Sequence, residues 1–375
     1  MNDNIRTRIA LSLIPHIGAG RAKSLLDAVR HPIDIFKLKE ADLARIRGFG
    51  PQSIASFKSF NDWDKVDRII KRTQLIGAKM ITPEDLEYPD RLKEITSPPL
   101  LLWYKGDVNL LKSAGIAVVG TRYPSSYGKD MAREFTRSLV ANNVTIISGL
   151  AYGIDTIAHQ ACLNENGKTI AVLGSGIDVI YPISNTYIAD EILEKKGLIL
   201  SEFPPGTKPD YQNFPTRNRI VSGLSLGVLV VETKNEGGSM ITANLAFDQN
   251  REVFVIPHNL TNKKGDGCQN LIRGNTGKLV ENVEDILTEF PWLDFKEESK
   301  SLLKHDLIDE KIDQLEDDNK LVCMFIQRNK ITHFDEILLD AGIAHSRLTS
   351  ILLELEFSEL IKQLPGKRYQ MNFIQ

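Results

Sequence analysis

Between residues 76 and 290 the apolar positions keep two alternating rhythms. Short unbroken runs rich in Val, Ile and Leu lie at 116–119, 144–147, 169–173, 198–200, 228–231 and 253–256. Each is too short for a helix and apolar at successive positions, as strands buried on both faces are. Between them apolar residues recur at helical spacing over 126–142, 153–164, 185–195 and 239–249, and a further helix opens at Arg217, Asn218 and Arg219. Strands alternating with amphipathic helices predict an α/β domain over 75–292, a Rossmann-like, doubly wound parallel sheet. Runs at 79–82 and 100–104, parted by the turn of Ser97, Pro98 and Pro99, predict two more strands.

The flanks follow other patterns. Residues 1–72 read as short helices separated by Gly turns. Two segments repeat one design, IPHIGAG (14–20) and IRGFG (46–50), each followed by a helix start. That is the look of a helix–hairpin–helix or SAM-like domain, whose turn N–H groups can hold a DNA phosphate without reading sequence. A small bundle with Gly C-caps fits the same letters. Residues 293–319 read as an acidic linker. Over 320–375, helices at 321–327, 334–341 and 345–357 precede a hairpin at 360–370 with a Pro-Gly turn, which predicts a winged helix.

Composition narrows the class. With 375 residues, 42% apolar and 25% charged at net charge −3, the chain has room for two or three domains of a soluble protein. No apolar run nears the roughly 20 residues that span a membrane, and no signal peptide is evident, so a cytoplasmic protein is expected. Three distant cysteines, Cys162, Cys268 and Cys323, indicate neither a disulfide framework nor a zinc site. Charge is uneven: residues 1–75 hold 14 Lys/Arg against 8 Asp/Glu, and 294–320 hold 5 against 10. Nucleic acid would therefore meet discrete pockets or the basic N-terminal region, not the whole surface.

In a doubly wound sheet, ligands sit at the carboxyl ends of the strands. Four turns fall there: at Gly120 and Arg122, at Ser148 and Gly149, at Gly174 and Ser175, and at Gly237, Gly238 and Ser239. With Arg217 and Arg219 nearby, they predict a phosphate or nucleotide site. No P-loop exists, and the turn at 174–178 lacks the third glycine of a dinucleotide fingerprint. The hydrolase-like string GLSLG (223–227) is a coincidence, because Ser225 follows a helix and precedes a strand. Asp155 and His159 stand four apart and could form a catalytic pair. The alternative has Asp155 capping the helix or tying its loop, with His159 a satisfied structural group. No catalytic residue, metal or cofactor is assigned.

In this order, the segments VVGTR (118–122), SGLAYGID (148–155), TIAVLGSGID (169–178) with Tyr181 and Pro182, SEFPPG (201–206) and the stretch from FPTRNRI (214–220) to GGSMITA (237–243) resemble the DprA/Smf family (DNA-processing protein A). The resemblance covers about 75–290. It implies a non-enzymatic protein that binds single-stranded DNA, forms a homodimer, and helps load RecA during natural transformation and homologous recombination. By similarity, Arg122, Ser148, Gly149, Phe214, Arg217, Asn218, Arg219, Gly238 and Ser239 line the DNA pocket, with the arginines on phosphate. The chain departs from the family at Tyr211, where many members carry Lys and for which Lys208 is the candidate substitute, and at His258, where the family has Gly. The segment GCQNLIRGN (267–275) corresponds to a region implicated in self-association. Leu271, Ile272 and Leu279 are the expected dimer patch, or else pack under the last helix.

Another class remains open, a nucleotide-processing enzyme like the LOG-type phosphoribohydrolases. Their Pro-Gly-Gly motif ends in a glutamate that EGGSMITA (236–243) lacks, which favours binding over catalysis. A third reading is an interaction platform acting through the end domains. The helix at 345–357 offers only Arg347 for base reading and adds two glutamates, so the tail is expected to dock a partner and not to read sequence.

Overall fold

The computed structural model describes residues 3–293, 315, 317–329, 331–358, 360–364 and 366–371. The chain divides into two compact units, Met1–Leu293 and Asp294–Gln375. Of the expected acidic linker, 294–314 and 316 lie outside the described residues.

The first unit opens with helices α1 (Asp3–Leu13), α2 (Ala19–Asp27), α3 (Glu40–Leu43), α4 (Pro51–Lys58) and α5 (Trp63–Leu75). Leu11, Ile14, Leu25, Leu43 and Phe57 form a core of their own. The two Gly turns are tied by Arg21, which donates to His16 O at 2.6 Å and Gly48 O at 2.7 Å. Ile9, Ala10, Val66, Ile69 and Ile70, however, pack in one cluster with Leu101, Trp103 and Ile199 of the sheet. Polar ties reinforce that seam. Buried Arg8 donates to Leu100 O and Glu84, and the Trp103 indole N–H donates to Thr73 Oγ1 at 3.0 Å. The helical layer is thus packed onto the sheet it precedes.

Nine strands follow: β1 (Lys79–Ile81), β2 (Leu102–Gly106), β3 (Gly115–Val119), β4 (Thr145–Ser148), β5 (Thr169–Leu173), β6 (Leu198–Ser201), β7 (Gly227–Val230), β8 (Glu252–Val255) and β9 (Lys278–Leu279). Their order is β1-β2-β6-β5-β4-β3-β7-β8-β9. β3 to β9 run parallel, but β1 and β2 are antiparallel, so the expected parallel sheet carries an antiparallel edge. Every residue of β3 to β7 is buried, as their apolar runs require. Helix α6 (Asp90–Lys93) lies between β1 and β2. The covering helices are α7 (Ser126–Ala141), α8 (Ile154–Asn164), α9 (Thr186–Glu194), α10 (Asn213–Leu224), α11 (Gly238–Asp248), α12 (Asp266–Arg273) and α13 (Glu284–Leu287). One cluster gathers Ile220, Leu224, Ala243 and Ala246 of α10 and α11 against the sheet; another gathers Ile188 and Ile192 of α9 with α5. The chain leaves β3 towards β4 on one side and returns to β7 on the other. Strand order reverses there, which opens a crevice at the carboxyl ends.

Leu271 belongs to this core at 2% exposure, with Ile272 packed against it; the expected surface role of Leu271 is corrected. Leu279 is exposed.

In the second unit, helices Asp317–Asn329, Phe334–Ala341 and His345–Phe357 pack on a three-stranded antiparallel sheet. The hairpin of Ile361–Leu364 and Arg368–Met371 gains a third strand, Ile331–His333, too short to show in the pattern. Arg347 pairs with Asp318 at 3.6 Å.

The Thr73–Trp103 bond gives a test of the seam. Thr73→Val keeps the shape but strands a buried indole N–H, and should destabilise the protein by about 1–3 kcal/mol. Urea denaturation followed by circular dichroism should show a lower midpoint at unchanged slope; Trp103→Phe in the same background should add less than it does alone.

Candidate nucleic-acid interface

The crevice begins with loop construction. β4 ends at Ser148, whose buried hydroxyl donates to Val118 O at 2.7 Å and so joins β4 to β3. The following loop winds around Asp155, whose Oδ2 accepts the Gly149 N–H at 3.1 Å and the Ala151 N–H at 3.4 Å. Asn185 donates to Leu150 O at 2.9 Å from outside. Asp155 therefore ties its loop, as one of the two sequence readings held. On the opposite wall, Glu232 follows β7 and its Oε2 accepts the Ser125 N–H at 3.0 Å, steadying the turn that carries Arg122.

Arg217 projects from α10 beneath that loop. Only 4% exposed, it donates through one Nη1 to Gly149 O at 2.6 Å and to Val172 O. A Cβ on Gly149 would stand 2.5 Å from this guanidinium, so a side chain there would displace it. Burial lowers the Arg217 pKa to about 10, against the pull of Asp155 and helped by repulsion from Arg122. It stays charged at neutral pH. Its Nε donates to Asn218 Oδ1 at 3.2 Å, and the side chain lines the cavity from its floor.

Phe214, at the start of α10, lies over Gly174, where a Cβ would come within 2.7 Å of the ring. The exposed Arg122 guanidinium sits 5.5 Å above the Phe214 centroid, and the Tyr181 ring stands 5.7 Å away at a 36° tilt. Across the crevice, α11 begins at Gly238. Ser239 donates to Thr233 Oγ1 at 2.7 Å, and space beside Gly238 is open. The first turn of a helix has N–H groups without intrahelical acceptors, which suits an anion.

These parts enclose a cavity of about 630 Å³. Of the residues expected there, Gly120, Arg122, Gly149, Phe214, Arg217, Asn218, Gly238 and Ser239 line it. Four do not. Ser148 is buried in the strand join; Gly174 lies under Phe214; Ser175 is buried with its hydroxyl on Val179 O; and Arg219 turns away to Glu202 at 2.5 Å. Arg219 stands about 200° around the helix from Arg217, so both cannot face the crevice. The sequence reading missed Tyr123, Tyr181 and Lys234 in the lining. Lys234 was findable, since it follows β7 on the same rim. Tyr211, noted as a departure, also lines the cavity, whereas His258 occupies the space beside Gly265 and bonds to Val231 O at 2.8 Å.

The residues that resembled catalytic groups are engaged structurally. Ser225 is buried and donates to Val221 O at 2.7 Å. His159 Nδ1 bonds to Thr169 Oγ1 at 2.7 Å, while its Nε2 is buried with no partner among the described residues. Its structural reading is thus satisfied at one nitrogen only.

A glycine-floored anion crevice at the switch point of a Rossmann-like sheet defines a nucleotide- or nucleic-acid-binding class. Residues 79–291 match the family model for DNA recombination-mediator protein A, and 310–367 that for the DprA winged helix domain. Protein Smf of Synechocystis is 34% identical, covering 96% of this chain and 97% of that protein. DNA processing protein DprA of Streptococcus pneumoniae is 46% identical over 203 residues, 54% of this chain and 71% of that one. Its X-ray structure superposes with a TM-score of 0.64 at 35% identity, over 75% of this chain and 95% of that one. DNA processing protein A of Helicobacter pylori, solved for its single-stranded DNA binding mode, gives 0.51 at 31%, over 56% and 95%. The chain belongs to the DprA/Smf family of DNA recombination-mediator proteins.

His159 sets a pH dependence. Burial first, and repulsion from Arg217 second, lower its pKa to about 3 from an ordinary 6.5. The unfolded chain therefore binds a proton near pH 6.5 that the folded chain refuses. Stability should fall as pH drops from 6.5 towards 3, by up to about 1.4 kcal/mol per unit from this group. In urea titrations between pH 7.5 and 4.5, His159→Gln should show a shallower dependence than wild type; parallel curves would reject the assignment.

Proposed function

We propose that the crevice binds single-stranded DNA, and that the chain acts as a non-enzymatic mediator that protects incoming strands and helps load RecA during natural transformation. The observation that carries this is the strip of Arg122, Phe214 and Tyr181, a cation and two aromatic faces beside the first turn of α11. Aromatic faces take unstacked bases, each worth about 1–3 kcal/mol, and a duplex offers none to them. Arg122 and the exposed Lys234 supply charge for phosphate, with Arg217 acting from the floor. The Helicobacter pylori relative, solved in connection with its single-stranded DNA binding mode, supports the choice of ligand.

In this lining Asp155 is engaged by loop N–H groups, which fits a structural role in a binding crevice better than proton transfer. That observation weighs against the phosphoribohydrolase alternative. RecA as partner, a homodimer through the surface near Ile272 and Leu279, and a cytoplasmic site of action rest on the family. Among the described residues no helix is long and apolar enough to cross a membrane. The winged-helix tail fits docking better than base reading: Arg347 is paired with Asp318, and its helix exposes Leu353 and Phe357.

Anisotropy titrations with a labelled oligo(dT) and the matching duplex test the ligand. Single strands should bind more tightly, and equal affinity would reject the proposal. Arg122→Ala should weaken binding alike across sequences and shallow the salt dependence by about 0.7 in log–log slope, the value for one single-strand phosphate contact. An unchanged slope would remove Arg122 from the phosphate path.

A further inference from the structure

Two turns, GSGID (174–178) and SEFPPG (201–206), stay out of the crevice lining, yet they are knit together closely. Ser201 Oγ donates to Ser175 O at 2.5 Å, and the Gly176 N–H donates to Thr207 O at 2.9 Å. Asp178 is the pivot. Its Oδ1 accepts the Gly206 N–H at 2.7 Å, and its Oδ2 accepts Arg72 Nε at 2.9 Å and Nη2 at 2.6 Å. Gly206 has φ +85°, and a Cβ there would meet the Arg72 guanidinium at 2.9–3.0 Å, so the cation lies against the turn itself. Burial pushes the Asp178 carboxyl up, but the Gly206 N–H and Arg72 outweigh it and leave its pKa below the usual value.

Arg72 comes from a different layer. It sits in the last turn of α5, whose neighbouring Thr73 is bonded to Trp103 of β2. The helix is therefore fixed to the sheet, and its guanidinium reaches over the edge to hold the turn. The segment held there runs directly into Pro209 and Tyr211 of the crevice wall, and then into Phe214 and Arg217 of α10.

We propose that Arg72 is a positioning residue for the DNA crevice: through Asp178 and Gly206 it clamps the 202–212 segment, so the N-terminal helical layer sets the crevice wall without touching DNA. The proposal deepens the single-stranded-DNA reading and rests on it for its effect on affinity. The clamp itself is measurable without DNA.

The test uses the full chain. In Arg72→Ala, backbone amides of 203–212 should exchange hydrogen faster in the free protein. Affinity for labelled oligo(dT) should fall by about tenfold, mostly through faster dissociation, with an unchanged salt slope. Asp178→Ala should do the same, and adding Arg72→Ala to it should cost nothing more, because both act through one tie. Arg72→Lys, which keeps the charge without the flat fork, should recover only part of the protection. A slope shallower by about 0.7 would make Arg72 a direct phosphate contact and overturn the proposal. So would additive losses, or unchanged exchange over 203–212. A wild-type protein that fails to bind oligo(dT) would reject the ligand assignment, while the exchange measurement still decides the clamp.

Discussion

The crevice depends on a charge buried in its floor. Arg217 joins the carbonyl of Gly149, just past β4, to that of Val172 in β5, and its guanidinium fills the space that a side chain at 149 would need. A buried guanidinium is tolerated only when its donors are satisfied and a counter-charge is near. Here the carbonyls take Nη1, Asn218 Oδ1 takes Nε, and Asp155 pulls on the cation while holding the N–H groups of the same loop. Floor and loop therefore stand or fall together. Burial, and repulsion from Arg217 after it, keep His159 neutral.

On that floor the walls divide the chemistry of a nucleotide. Phe214 and Tyr181 present rings, made possible by the bare Cα of Gly174, and Arg122 lies over the Phe214 ring at its edge. The start of α11 faces them with helix N–H groups. A guanidinium above an aromatic ring gains modest energy when exposed, about 0.5–1 kcal/mol, so Arg122 can leave the ring for a phosphate at small cost. The N-terminal layer acts at one remove, through Arg72, on the segment that delivers these residues.

Much of this was legible in the residues. Strands buried on both faces announce themselves by unbroken apolar runs, and 169–173 matches β5 to the residue. The antiparallel pairing of β1 and β2 was not legible, since a short apolar run carries no direction. Arg217 and Arg219 look equivalent in RNR, but the helical turn sends one under the loop and the other to Glu202. Tyr181 was visible only as a family letter; its place beside Phe214 depends on the fold of a loop that periodicity does not describe.

The role we propose for Arg217, floor and not phosphate ligand, is tested most directly by Arg217→Gln, with urea denaturation and salt-dependent oligo(dT) binding measured side by side. Losing a buried, hydrogen-bonded cation should destabilise the protein by about 2–4 kcal/mol. Binding by the folded fraction should weaken equally at every salt concentration, with the slope of wild type. Full stability together with a slope shallower by about 0.7 would contradict the account and make Arg217 a phosphate contact.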